Sequence, residues 1–242
     1  MKHLCTLLLM VCITTSCDQI KSIFGEEKPA DPSLVQRFYK NGTLKSEVRV
    51  DENNKRHGLG KTYYPSGKPK SEINYEHGVK TNAVQFYEDG VKYLEFNYKN
   101  GKKHGKRTKY WETGEVRSIL EYDDDRPGIG LKEYNKKGQL LTKYPELIIR
   151  QTDKLNLTGE YIIEVFFDKN TSRGDYYMGK LKGGFLPSTY SKMNEVNGKG
   201  RFVYRPLPGT FKMEKMYFVG KFKTLYGNPY LVEKSINLAI DF

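Results

Sequence analysis

Five glycines punctuate the first half of the chain at a nearly constant interval, and that period constrains the fold more than any other feature. Aligning aromatic-x-x-Gly gives YKNG at Tyr39, YPSG at Tyr64, YEDG at Tyr87 and WETG at Trp111, with a looser YNKKG at Tyr134. The glycines, Gly42, Gly67, Gly90, Gly114 and Gly138, are 25, 23, 24 and 24 residues apart. A fixed period in this range marks an array of supersecondary units that bury their apolar faces by stacking.

The residues after each glycine identify the unit. Six positions on stand Val48, Ile73, Phe96 and Leu120, and eight positions on stand Val50, Tyr75, Tyr98 and Tyr122. Between them stand Arg49, Asn74, Asn97 and Glu121. Apolar, polar, apolar is the period of a strand with one buried face. Three of these strands then meet a second turn signal: EHG at Glu76–Gly78, KNG at Lys99–Gly101 and DRPG at Asp125–Gly128. Each unit is therefore expected to be one β-hairpin, and five hairpins should stack edge to edge. The predicted fold is all-β: an elongated single-layer antiparallel sheet, followed by a small sandwich or barrel-like domain.

The segments RHGLGKTYYPSGKPKSEINYEHG and YKNGKKHGKRTKYWETGEVRS resemble MORN-type repeats, in the bacterial variant associated with YwqK-like antitoxins. The resemblance covers residues 37–141. It implies a binding or scaffold module, and it leaves open neutralisation of a cognate toxin by direct binding. Beyond residue 142 the period is lost, and GRFVYRP, EKMYFVGKF and SINLAIDF read as further strands of an all-β domain over 142–242. GEYIIEVFFDKNTSRGDYYMGKLKGGF reads as two strands joined by a polar turn at residues 168–175.

The amino terminus reads as an address. Lys2, an apolar run from Leu4 to Ile13 and the small residues before Cys17 form a secretory signal over 1–16, the run being too short to span a bilayer. TTSC resembles a bacterial lipobox, with Thr14 where an aliphatic residue is usual, and implies lipid attachment at Cys17. Several acyl chains at about 0.8 kcal/mol per buried methylene would anchor the chain stably. Polar residues 17–36, with two prolines, read as a tether. The expected location is a bacterial cell envelope, at the outer membrane. The three cysteines all lie within the first 17 residues, so no disulfide or thiolate metal site is expected in the folded part.

The net charge is +12, spread along the chain. Charge peaks at Lys99–Lys109, where six of eleven residues are basic; Lys102, Lys103, Lys106 and Arg107 make this turn the candidate contact for anionic lipid headgroups or surface polysaccharide. A solvated edge is the favoured explanation of it, and nucleic acid is the least expected partner for an exported protein. Tyr39, Tyr64, Tyr87, Trp111 and Tyr134 are the candidate anchors for a protein partner, because Tyr and Trp dominate interface energies. They are also placed to pack between neighbouring units.

Catalytic signatures are missing: the sequence has no G-x-S-x-G elbow, H-E-x-x-H helix or P-loop. His57 and His104 occupy equivalent places two units apart, roughly 19 Å at two strands per unit, too far to share a metal. No catalytic residue, metal or cofactor is expected. Asp123–Asp125 reads as an exposed turn, and Glu47, Glu72 and Glu95 as a polar stripe.

Overall fold

The computed structural model describes residues 31–168 and 174–242. The signal segment, Cys17 and the tether as far as residue 30 lie outside the described residues. No helix among the described residues is long and apolar enough to cross a membrane.

The array is the expected run of antiparallel hairpins. It comprises β1 (Leu34–Phe38), β2 (Leu44–Val50), β3 (Arg56–Tyr63), β4 (Pro69–Glu76), β5 (Val79–Phe86), β6 (Lys92–Lys99), β7 (Lys102–Lys103), β8 (Gly105–Tyr110) and β9 (Val116–Asp123). Short strands β10 (Arg126–Pro127) and β11 (Lys132–Glu133) both pair with β9 and end the sheet. The first strand begins at Leu34, inside the stretch read as tether. Val35 pairs with Val48 and Gln36 with Glu47, so the array recruits these residues as its edge.

Each aromatic-x-x-Gly is the same turn. In the first four copies the aromatic amide donates to the carbonyl four residues on, and the glycine amide donates back to the aromatic's carbonyl. This is a type I turn closed by a left-handed residue, which needs φ > 0 at its fourth position. Gly42, Gly67, Gly90 and Gly114 supply φ of 80° to 95°. In the fifth copy Asn135, not Tyr134, takes the aromatic's place: its amide bonds to Gln139, and Gly138 bonds back to it. The inserted residue in YNKKG shifts the aromatic out of the turn.

Residues 142–242 form two facing sheets, the sandwich option of the expected pair. One has the order β12 (Leu147–Lys154), β13 (Glu160–Phe167), β16 (Lys199–Tyr204), β15 (Asn194–Val196); the other has β14 (Asp175–Met178), β17 (Phe211–Lys223), β18 (Pro229–Asp241). A four-residue helix, α1 (Leu155–Thr158), turns β12 into β13. The strands on either side of residues 168–175 lie in different sheets, because the alternate residues Tyr161, Ile163, Val165 and Phe167 must face a second layer. That layer is Met216, Phe218, Phe222, Leu238 and Ile240, and here the molecule has its main core. Gly220 stands where the layers come closest: a Cβ there would lie 2.5 Å from Leu147 and 2.7 Å from Phe167.

Candidate functional site

The turn aromatics act first within the array. The Tyr39 hydroxyl donates to the Tyr63 carbonyl at 2.7 Å, Tyr64 to Phe86 at 2.7 Å and Tyr87 to Tyr110 at 2.9 Å. The Trp111 indole N–H donates to the Tyr134 carbonyl at 3.2 Å. Each ring thus fastens its own turn to the residue just ahead of the next one. The polar tips of four of the five proposed anchors are committed inside the protein, and Tyr134 serves as the last acceptor. Trp111 is further enclosed: Tyr226 meets it edge-on at 5.2 Å, and the Arg117 guanidinium lies 4.4 Å above it.

A second set of tyrosines faces the glutamate stripe. Tyr63 donates to Glu47, and Tyr110 donates to Glu95 at 2.6 Å. Burial, then the bond to a carboxylate, pushes both phenols up to about 12. Lys61 pairs with Glu72 at 3.3 Å, so the stripe is bonded across strands as well as solvated.

The basic turn is not a free cationic patch. It lies beside the acidic turn of the next unit, where Lys102 pairs with Asp124 at 2.9 Å and the Lys103 amide donates to Asp125 at 3.0 Å. His104 lies 3.2 Å from Asp123. The Lys103 ammonium sits over the Phe96 and Tyr122 rings. Lys106 is exposed. The expectation fails for Arg107, which is only 4% exposed. Strand phase is the cause. Gly60 faces Ile73, Ala83 faces Phe96, and at the same register Arg107 faces Leu120 on the apolar side. Where two units place a small residue, the third places a guanidinium.

That guanidinium joins the array to the sandwich. Its Nη2 donates to Asn228 Oδ1 at 2.6 Å and to Ser118 at 3.4 Å, and its Nη1 donates to the Tyr122 hydroxyl at 3.4 Å. Asn228, fully buried in the β17–β18 turn, donates through Nδ2 to the buried Glu133 of β11. Glu133 also accepts from Thr224 at 2.7 Å and from Tyr144 at 3.2 Å. One amide thus bridges the guanidinium and the carboxylate without direct contact between them, while Arg107 Nε is left buried with no hydrogen-bond partner among the described residues. Lys109, on the same face, is pushed down to about 8 by burial, then by Arg107 and Arg117. Around this junction Leu120, Tyr122 and Leu131 pack with Phe96 and Tyr230. The sequence carried a signal for the junction: the loss of the small residue at position 107, set against Gly60 and Ala83.

His57 meets His77 of the neighbouring turn, not His104, with ring centroids 4.9 Å apart, and Asp51 joins them. Equivalent positions two units apart do not reveal this pair, because it is the antiparallel pairing of β3 with β4 that brings residues 20 apart side by side.

With this geometry in view, the family profile described as a MORN repeat variant matches residues 56–77 and 103–124. Those two segments are MORN-type repeats. They run from β3 through β4 and from β7 through β9. No curated protein matches the chain. Among solved structures the chain is similar to one titled "Crystal structure of GtfA/B complex bound to UDP and GlcNAc", at 15% identity and a TM-score of 0.23. That match covers 59% of this chain and only 28% of the other, and at this TM-score it carries no argument.

Proposed function

We propose that this protein is a non-enzymatic binding or scaffold module of a bacterial envelope, anchored through lipid on Cys17, whose MORN-type sheet receives a protein partner. The observation behind this reading is an uncovered apolar strip. The sandwich covers the apolar face at Leu120, Tyr122 and Leu131. Toward the other end the same face continues through Ile73, Val48 and Val50, each partly exposed, to Val35, which is 40% exposed on the edge strand. A rigid sheet with a half-covered apolar face and satisfied polar tips suits a partner that supplies the missing cover. The rival reading, contact with anionic lipid or glycan through the basic turn, loses Arg107 to the interior and Lys102 to Asp124. A toxin remains one identity that the partner can have.

The test is retention of one protein at high salt by the soluble form Asp18–Phe242 used as bait in extracts of the source organism. Capture should be lost in Val35→Glu and kept when Lys102, Lys103 and Lys106 are changed to Ser. Salt-labile capture of lipid or glycan that needs the lysines would overturn it.

A further inference from the structure

We propose that Asp51, His57 and His77 form a binding site for a borderline divalent transition metal, with Zn2+ the best fit. This inference stands independently of the partner reading above. One donor atom from each residue lies within 4.8 Å of the others. The residues come from three places that the hairpin period brings together: Asp51 follows β2, His57 is the second residue of β3, and His77 sits in the β4–β5 turn.

The donors are held in place by the turns around them. Asp51 Oδ1 accepts the amides of Asn53 at 3.0 Å and Lys55 at 2.9 Å, closing its own turn. That leaves Oδ2 directed at the His77 ring, 2.9 Å from Nδ1. The Asp51 side chain is 10% exposed, so its orientation is set by the backbone and not by solvent. His77 is held in the left-handed region at φ 45°, and the following Gly78 amide bonds to Arg56 at 2.7 Å, tying the turn to β3 beside His57. Two imidazoles and one carboxylate are the donor set of three-ligand zinc sites, and they disfavour Ca2+ and Mg2+, which take oxygen shells. Tetrahedral bonds of about 2.0 Å need donors roughly 3.3 Å apart; Asp51 Oδ2 and His77 Nδ1 lie 2.9 Å apart, and no pair of the three donors exceeds 4.8 Å. Both imidazoles are exposed, leaving the fourth position open to solvent.

The chain contains its own control. Two units on, His104 repeats His57, but Lys99 stands in place of Asp51, nine residues after the turn glycine, and Asp124 in place of His77. One imidazole remains there, facing Asp123. The third unit therefore lacks the donor set that the first assembles.

The experiment is calorimetric titration of the full chain in detergent, under reducing conditions, with ZnCl2. His104→Asn, His57→Asn, His77→Asn and the His57→Asn/His77→Asn double variant are titrated in parallel, which cancels any contribution from the amino-terminal cysteines. The wild type and His104→Asn should bind one more Zn2+ than the double variant. Each single variant at His57 or His77 should weaken that event at least tenfold, and millimolar Mg2+ or Ca2+ should not compete. Asp51→Asn keeps the amide-accepting oxygen and removes the charge, so it should weaken binding while leaving the zinc-free melting temperature unchanged. Equal zinc binding by the wild type and the double variant, both folded by circular dichroism, would overturn the site.

Discussion

At the scale of single residues, the array places ionisable groups where their titration affects folding. The Lys109 ammonium, normally near 10.5, is pushed down to about 8 by burial and by its cationic neighbours. Between these values the unfolded chain holds a proton that the folded chain has released, so stability rises with pH across that window. Tyr63 and Tyr110 act in the opposite sense. Their phenols ionise at about 12 when folded against an ordinary 10.0, so above pH 10 the unfolded chain loses protons first and stability falls. Melting temperature should therefore climb from pH 8 toward a maximum near pH 10 and decline beyond it. Lys109→Met should flatten the climb and leave the decline, as read by thermal melts from pH 7 to 11. The individual residue is also where sequence reading reached least. Arg107 and Lys106 are adjacent cationic residues, yet one is buried and the other exposed, because only strand phase separates them.

At the scale of the element, the hairpin was readable almost in full. Val48, Ile73, Phe96 and Leu120 share a phase because every unit has the same turn, and a turn with a left-handed fourth residue fixes register. What could not be read was the role of the ring at each turn, since an aromatic at a turn looks the same whether it serves a partner or the next hairpin. The hydroxyl-to-carbonyl bonds settle its first duty. Tyr87→Phe keeps the ring and removes only the donor to Tyr110. It should cost about 1 kcal/mol in urea unfolding, with the m-value unchanged. A cost indistinguishable from zero would show that the ring's packing, and not its bond, joins the units. The His57–His77 pair was hidden for a related reason: its residues meet where β3 begins and the paired β4 ends, 20 residues apart, and the sequence shows spacing before it shows adjacency.

At the scale of the whole molecule, a thin array with little core of its own is clasped to a sandwich that holds most of the buried apolar side chains. The sheet-and-sandwich architecture could be anticipated from the point where the period stops. The clasp could not, because its members, Arg107, Glu133 and Asn228, are up to 121 residues apart and belong to no motif. Asn228→Ala would remove the amide bridging two buried charges and should destabilise the junction by roughly 3 kcal/mol. In a chain whose units contact mainly their neighbours, such a loss uncouples parts before it unfolds them. Thermal unfolding should change from one transition in the wild type to two in the variant, with the array melting first. A single unshifted transition would show that apolar contact around Tyr230 is enough to hold the two parts together.

The ring-to-carbonyl relay has one further consequence. It runs in one direction, each turn giving to the next, and it ends where Asn135 has no ring to give. A 24-residue unit copied into the interior would find both a donor behind it and an acceptor ahead, whereas one added after Gly138 would find no donor. Two strands advance the sheet by roughly 10 Å. The molecule is in this sense a ruler with a fixed stop, whose length evolution can set in whole graduations without redrawing either end.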